Sequence, residues 1–171
     1  DLAELLSGFQ GMFEGFREDH LTTSGATIRV RYGGAGPPLL MLHGNPQTSA
    51  MWRHVATQLQ DQFTLICPDL RGYGFSSKPS AGPDYVNYSK RAMAQDMVEV
   101  MAMLGHDRFS LCGHDRGGRV AHRLAYDHQD LVEKICVLDI APTREMYANT
   151  TDEFARAYWH WFFMILQPPE P

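Results

Sequence analysis

The spacing of hydrophobic and polar residues alternates along the chain between strand-like runs and helical stripes. Compact apolar runs predict strands at residues 28–32, 39–43, 63–67, 109–112 and 134–138. Apolar residues at helical spacing predict helices at residues 48–59, 89–104 and 117–126. This alternation predicts βαβ units and a mainly parallel sheet, whose ligands bind at the carboxyl ends of the strands.

Local sequence features add detail to this layout. A turn-rich Gly/Pro segment joins residues 28–32 to 39–43 and predicts that they form a strand pair. Met51, Val55 and Leu59 form the predicted buried stripe of the first helix. The long helix carries a core stripe made of Met93, Met97, Val100, Met101 and Leu104. After Pro142 the strands stop, and the remaining sequence predicts helix with a dense aromatic block.

Composition places the chain among globular proteins with one substantial core. It has 171 residues, 44% of them hydrophobic and 20% charged. The net charge is −5, and the Lys and Arg residues are scattered, so neither nucleic acid nor an anionic membrane is an expected partner. No apolar stretch reaches the roughly 20 residues that span a bilayer, and the N-terminal residues lack signal-peptide character. A cytoplasmic location is therefore expected.

The cysteines offer no metal chemistry. Cys67, Cys112 and Cys136 each lie in a short apolar run, without the C-x-x-C spacing of metal sites. They are predicted to be buried free thiols, and neither a metal nor another cofactor is expected.

The segment LCGHDRGGRV, residues 111–120, has the G-x-Nuc-x-G outline of a nucleophile elbow with Asp115 in the reactive position. Asp69, Asp115 and Asp139 all fall at the ends of predicted strands. A carboxylate is ionised at neutral pH without help, so it can displace a leaving group at a saturated carbon and form an alkyl ester. Water then hydrolyses the ester, with backbone N–H groups of Asn45 and Arg116 as candidate oxyanion-hole donors.

Two arginines accompany this carboxylate. Arg116 and Arg119 are three residues apart, so they project on nearby faces of the predicted helix beside Asp115. Two guanidinium groups at that spacing suit a substrate carboxylate held by charge-assisted bonds. The alternative is that one or both arginines form structural salt bridges to acidic residues of loops.

Taken together, these motifs resemble the α/β-hydrolase superfamily, and within it the fluoroacetate (haloacetate) dehalogenases. The resemblance is carried by HGNPQTSAMWRHVA, PDLRGYGFSSKP, GHDRGGRVAHRLAYDH, VLDIAPT and YWHWFF. It implies an α/β-hydrolase fold with a mostly parallel sheet and the start of a helical cap. Residues 1–142 would form the N-terminal part of the hydrolase core and residues 143–171 the beginning of the cap.

The same resemblance implies roles for individual residues. It places the nucleophile at Asp115, the carboxylate-binding pair at Arg116 and Arg119, and the triad acid at Asp139. His160 and Trp161, in the aromatic block, would bind the departing halide through their ring N–H groups. The implied activity is hydrolytic dehalogenation of a small 2-haloacid such as fluoroacetate, without a cofactor.

The chain departs from the family pattern at two points. Asn45 stands where an aromatic residue is expected, in an HGNP form similar to that of haloalkane dehalogenases. The family's catalytic His lies on a loop near the C-terminus, and no histidine up to Pro171 is an evident substitute. We therefore expect the chain as given to lack the triad base and the last sheet strands, and to be inactive in isolation.

Other functions stay open at this point. An epoxide hydrolase resembles the same scaffold and also uses an Asp nucleophile, but an uncharged epoxide would leave two buried cations without a partner. A non-catalytic binding module is the alternative from a different class. Homodimerisation is left open by the sequence.

Overall fold

The computed structural model describes residues 13–163. Predictions for residues 1–12 and 164–171, among them the last part of the cap, lie outside the described residues. The chain divides into two compact units, one running through Ile140 and the other starting at Ala141. The assignment of these stretches to a hydrolase core and a cap stays a prediction.

The first unit is built on one six-stranded sheet. Its strands are β1 (Arg17–Thr22), β2 (Thr27–Gly34), β3 (Pro38–Leu42), β4 (Thr64–Pro68), β5 (Phe109–His114) and β6 (Val132–Leu138). They lie in the order β1-β2-β4-β3-β5-β6. Strands β4, β3, β5 and β6 run parallel to one another. Strand β2 is antiparallel to both of its neighbours, β1 and β4, and β1 forms the edge of the sheet. The predicted mainly parallel α/β architecture is confirmed.

Helices connect the parallel strands. They are α1 (Arg53–Leu59), α2 (Lys90–Met103) and α3 (Arg116–Asp127), with 3-10 turns at Ser49–Trp52 and Pro83–Tyr88. The Thr48 hydroxyl caps the first of these turns by accepting from the backbone N–H of Ala50. Within residues 13–163, no helix has the length and apolar character needed to cross a membrane.

The predicted pairing of the strands now identified as β2 and β3 is wrong. β4 lies between them, antiparallel to β2 and parallel to β3. A short Gly/Pro connection brings two strands close but does not oblige them to exchange hydrogen bonds. The apolar β3 instead takes the centre of the parallel sheet, where both of its faces are covered. The edge strand β1 escaped prediction because its REDHLT sequence is mostly polar and exposed.

The long helix packs as predicted. The main core contains Met93, Met97, Val100 and Met101 together with apolar residues of the sheet and α3. In the first helix, Met51 and Leu59 are partly buried as predicted, but Val55 is 39% exposed. Trp52 and Ala56 take the buried positions there and pack with Met41 and Leu65 in a second cluster. Small Ala56, which a hydrophobicity pattern weights weakly, lies at the contact with the sheet.

The cysteines are all free, but their burial differs. Cys67 is buried as predicted, and its burial raises the pKa of its thiol. Cys112 is half-buried, and the prediction is wrong for Cys136, which is exposed. Cys136 lies on β6, which forms one edge of the described sheet and is exposed along nearly all of its length.

The second unit is helical, as its sequence predicts. It contains α4 (Thr143–Ala148), α5 (Asp152–Ala157) and α6 (Trp159–Phe163). Aromatic rings connect these short helices to one another. Phe154 stacks on Tyr158 with ring centroids 4.8 Å apart, and Tyr147 lies 5.8 Å from Trp161.

Candidate active site

Asp115 lies on a sharp turn between β5 and α3. Its φ of 48° and ψ of −114° are unusual for a residue with a side chain. The turn is anchored on both sides, because Asp115 N–H donates to the Leu138 carbonyl at 3.2 Å and the Asp115 carbonyl accepts from Arg119 N–H at 3.2 Å. The strained backbone therefore holds the carboxylate at the carboxyl edge of the sheet, which is the elbow geometry that the sequence predicts.

Glycines allow this turn to fit against the sheet. A Cβ on Gly117 would collide with the backbone carbonyl oxygens of Leu42 and His43 at the end of β3. A Cβ on Gly44 would lie 2.7 Å from Asp115 Cβ, so this glycine lets the loop after β3 approach the carboxylate.

The loop after β3 carries the predicted oxyanion-hole donor Asn45 and is called here the oxyanion loop. It contacts the predicted nucleophile, Asp115. The backbone N–H of Asn45 donates to Asp115 Oδ1 at 2.8 Å. Among the described residues, none donates a hydrogen bond to Asp115 Oδ2. Arg116 follows Asp115 as the first residue of α3, where backbone N–H groups lack intrahelical partners. One carboxylate oxygen is thus bound by the loop, and the other accepts no hydrogen bond from residues 13–163.

His43 joins the oxyanion loop to the loop after β4. Its Nε2 accepts from Leu70 N–H at 2.9 Å, and its Nδ1 lies 2.8 Å from the Gly44 carbonyl. Because Nε2 accepts, the proton resides on Nδ1 and donates to Gly44. Burial lowers the pKa of His43, in agreement with a neutral ring. His43 is therefore a structural ligand of two loops.

Arg116 and Arg119, which are predicted to bind the substrate carboxylate and are called here the clamp arginines, lie on the first turn of α3 and are half-buried. The guanidinium carbon of Arg116 lies 5.9 Å from the ring centroid of Tyr73. Arg116 Nε is buried without a hydrogen bond, and no ion pair joins Arg116 to an acid within the described residues. The alternative of a structural salt bridge therefore finds no support for Arg116 in residues 13–163.

Lys90 is a third cation near this site that sequence reasoning missed. Burial, together with the positive charges of Arg116 and Arg119, lowers the pKa of Lys90 to about 8, and the negative charge of Asp115 opposes this shift. Lys90 begins α2, and only the packing of α2 against α3 brings it near the arginines. No local sequence signal could have identified it.

Tyr73 and Gln47 were also missed. The Tyr73 hydroxyl donates to Asn45 Oδ1 at 2.8 Å. Gln47 Oε1 and Asp115 Oδ1 both lie 2.9 Å from the position that a Cβ on Gly44 would occupy. The available signal was proximity to motifs, since Gln47 follows HGNP and Tyr73 lies in the loop after the strand-end residue Asp69.

Asp139 leaves the sheet beside Asp115. Residues His114 and Leu138 are partners on β5 and β6, so the aspartates that follow them emerge at the same edge. The Asp139 side chain is 92% exposed, and its Oδ2 lies 3.9 Å from His114 Nε2. Asp139 also has a positive φ, of 50°. The predicted triad acid is therefore exposed on the same edge as the predicted nucleophile.

The third strand-end acid has a different environment. Asp69 is fully buried and accepts from Ser49 N–H at 2.8 Å and Phe75 N–H at 3.0 Å. Burial alone would raise the pKa of Asp69, but these hydrogen bonds and the nearby Arg29 cation hold it below its ordinary value. Its oxygens are occupied by the loops that they stabilise, so Asp69 is not available for chemistry.

The predicted halide-binding pair lies on α6 in the second unit. His160 is exposed, with ring centroids 5.9 Å from Tyr158 and 6.1 Å from Trp159. Trp161 is half-buried against Tyr147 and Tyr158. Halide binding by this pair stays a prediction. Among residues 13–163, no group of three or more His, Cys, Asp or Glu side chains is placed to hold a metal ion.

Known proteins share both the sequence and the fold. The family model of the alpha/beta hydrolase fold matches residues 37–165. A fluoroacetate dehalogenase from Burkholderia sp is 53% identical over 160 residues, which cover 94% of this chain and 52% of the relative. A soluble epoxide hydrolase from Corynebacterium sp. (strain C12) is 44% identical over 133 residues, covering 78% of this chain and 41% of the relative.

Solved structures agree with this assignment. The crystal structure of an alpha/beta hydrolase from Nostoc sp PCC 7120 superposes with a TM-score of 0.89 and 54% identity, covering 91% of this chain and 54% of that chain. The chain spans about half the length of the curated relatives it matches. The family match contains the elbow, the loop after β3 and the parallel strands that hold them. The chain therefore belongs to the alpha/beta hydrolase fold family.

Proposed function

We propose that this chain carries the nucleophile and substrate-carboxylate site of an enzyme that hydrolytically dehalogenates small 2-haloacids such as fluoroacetate. One observation carries the proposal: Asp115 presents an open carboxylate oxygen at the elbow, beside two arginines of α3. The 53% identity to the Burkholderia fluoroacetate dehalogenase supports the same substrate class.

The first step is displacement. Asn45 N–H holds Asp115 Oδ1 at 2.8 Å, so Oδ2 is the oxygen that attacks the halogen-bearing carbon. A C–O bond forms, and the C–halogen bond breaks with its electron pair leaving as halide. Arg116 and Arg119 bind the substrate carboxylate and orient the carbon for in-line attack. We assign His160 and Trp161 to the departing halide.

The second step is hydrolysis of the ester. Water attacks Asp115 Cγ and gives one proton to a general base. The Cγ–Oδ2 bond then breaks, and the departing alkoxide takes the second proton of the water, so the 2-hydroxyacid leaves and Asp115 regains its carboxylate. Oδ1 carries the developing negative charge, and the backbone N–H groups of Asn45 and Arg116 stabilise it. Asp139 is the proposed acid that orients the base, by analogy with triads in which a carboxylate holds an imidazole.

Epoxide hydrolysis is the second candidate, favoured by the 44% identity to the Corynebacterium epoxide hydrolase. The same Asp115 would open the epoxide ring. The site is rich in positive charge, with Arg116, Arg119 and Lys90 near one carboxylate. A neutral epoxide brings no negative charge to this positive site, whereas a haloacid supplies an anion.

The test offers fluoroacetate, chloroacetate and styrene oxide to the full-length protein and measures halide or diol release. We expect halide release from the haloacids, and a mass increase of one carboxymethyl group on Asp115 in rapidly quenched samples. Asp115→Asn should abolish both signals. Diol formation without halide release would establish the epoxide alternative.

A further inference from the structure

Tyr73 contacts both halves of the candidate site through different parts of one side chain. Its hydroxyl donates to Asn45 Oδ1 at 2.8 Å, and its ring faces the Arg116 guanidinium with 5.9 Å between the ring centroid and the guanidinium carbon. The ring also packs edge-on against His43 at 5.2 Å, and His43 holds Gly44 and Leu70. The oxyanion loop and the clamp arginine are thereby joined at one residue.

We propose that Tyr73 is a positioning residue, whose hydroxyl sets the oxyanion loop for chemistry at Asp115 and whose ring sets Arg116 for binding of the substrate carboxylate. The inference rests on the proposed function. It goes further, because it assigns the rate constant of displacement to the Tyr73 hydroxyl and the affinity for substrate to the Tyr73 ring.

The hydroxyl acts through Asn45. Asn45 is exposed, and its side-chain oxygen is held by Tyr73 while its backbone N–H holds Asp115 Oδ1. Partial burial raises the pKa of Tyr73, so the hydroxyl stays protonated and remains a donor over the neutral range. Without this bond, Asn45 loses its side-chain anchor, and the orientation of the Asp115 oxygens becomes less defined.

The ring acts through Arg116. A guanidinium facing an aromatic ring is stabilised electrostatically and by stacking. Arg116 Nε makes no hydrogen bond to any residue between 13 and 163, and the ring of Tyr73 is a contact that can orient this cation.

Two substitutions separate these contributions. Tyr73→Phe removes the hydroxyl and keeps the ring, whereas Tyr73→Leu removes both. Tyr88→Phe is the matched control, because the Tyr88 hydroxyl donates to the Pro79 carbonyl at 2.8 Å and contacts neither Asn45 nor Arg116. Halide release from chloroacetate is followed in single turnovers of the full-length protein, which give the maximal rate and the half-saturating concentration.

We expect Tyr73→Phe to lower the maximal rate about three- to tenfold with unchanged half-saturation, since one neutral hydrogen bond is lost. Tyr73→Leu should in addition raise half-saturation about three- to tenfold. Tyr88→Phe should change neither. In an Asn45→Ala background, which keeps the backbone N–H, Tyr73→Phe should have no further effect on the rate.

The inference is overturned if Tyr73→Phe changes neither quantity, if it raises half-saturation as much as Tyr73→Leu, or if its effect is undiminished in the Asn45→Ala background. A wild-type protein that releases no halide from any haloacid would instead remove the proposed function, and the inference with it.

Discussion

At the scale of single residues, Arg119 tests the substrate class. Lysine keeps the charge but loses the planar fork that holds a carboxylate by two parallel bonds. We expect Arg119→Lys to cost about 1.5–3 kcal/mol of transition-state binding, roughly ten- to a hundredfold in kcat/KM for fluoroacetate. Arg123→Lys is the matched control, because Arg123 pairs with Asp127 one turn further along α3. An unchanged kcat/KM in Arg119→Lys would contradict the carboxylate clamp.

Lys90 predicts a pH dependence. With its pKa lowered to about 8, Lys90 loses its charge above that pH, and the site becomes less attractive to an anion. We expect KM for haloacetates to rise above about pH 8 and the rise to disappear in Lys90→Arg, which keeps its charge. A KM that rises identically in the wild type and Lys90→Arg would exclude Lys90 as the cause.

The lowered pKa of Lys90 has the opposite effect on stability: the free energy of unfolding increases with pH, whereas substrate binding weakens. The unfolded chain keeps the Lys90 proton up to the ordinary lysine range near pH 10.4, while the folded chain releases it near pH 8. Between these values the unfolded state binds more protons, so the contribution of Lys90 to the free energy of unfolding increases with pH. Urea titrations of wild type and Lys90→Met at pH 7 and pH 10 would measure this difference.

At the scale of elements, the elbow depends on how closely α3 approaches β3. A Cβ on Gly117 would strike backbone oxygens, which cannot move without shifting the strand, whereas a Cβ on Gly118 would first meet the Ile140 side chain at 2.7 Å. We expect Gly117→Ala to destabilise the fold by about 1–3 kcal/mol and to abolish ester formation, and Gly118→Ala to be milder. Thermal unfolding and adduct mass measure both. Equal effects of the two substitutions would contradict this account.

A buried ion pair joins the loop after β4 to α2. Arg71, in the loop after β4, binds Asp96 of α2 through two 2.6 Å hydrogen bonds, and Thr23 donates to the same carboxylate at 2.6 Å. Asp96→Ala would leave Arg71 buried without its partner, so we expect a loss of about 3–5 kcal/mol in urea unfolding. Asp127→Ala, which breaks more exposed pairs, is expected to leave the urea midpoint nearly unchanged and serves as the control.

At the scale of the whole molecule, we predict that the chain supports displacement but not hydrolysis of the ester. His43 is committed to two loops, and His114 is the histidine that lies beside Asp139. Given to chloroacetate as such, the 171-residue chain is expected to release no more than one halide per chain and to retain an ester on Asp115. Release of many equivalents would contradict the assignment of these histidines, and Asp115→Asn should release none.

The periodicity of the chain was enough to predict most elements, and its motifs were enough to identify the elbow. Both depend on short-range information: apolar spacing sets which face of an element is buried, and glycines around Asp115 permit its tight turn. The methionine stripe of α2 and the placement of Asp115 between β5 and α3 were predictable for this reason. Arg116 and Arg119 were identifiable because three residues separate neighbours on a helix face.

Tertiary structure decided which strands are neighbours in the sheet and which side chains meet at the site. β4 separates β2 from β3, Tyr73 reaches Asn45 across 28 positions, and Lys90 meets the arginines only through the packing of two helices. Asp69 and Asp115 look alike as strand-end acids, yet folding surrounds one with loop amides and leaves the other with an open oxygen. These differences arise from contacts between distant segments, whose free energies depend on the assembled sheet and are not encoded in any local pattern.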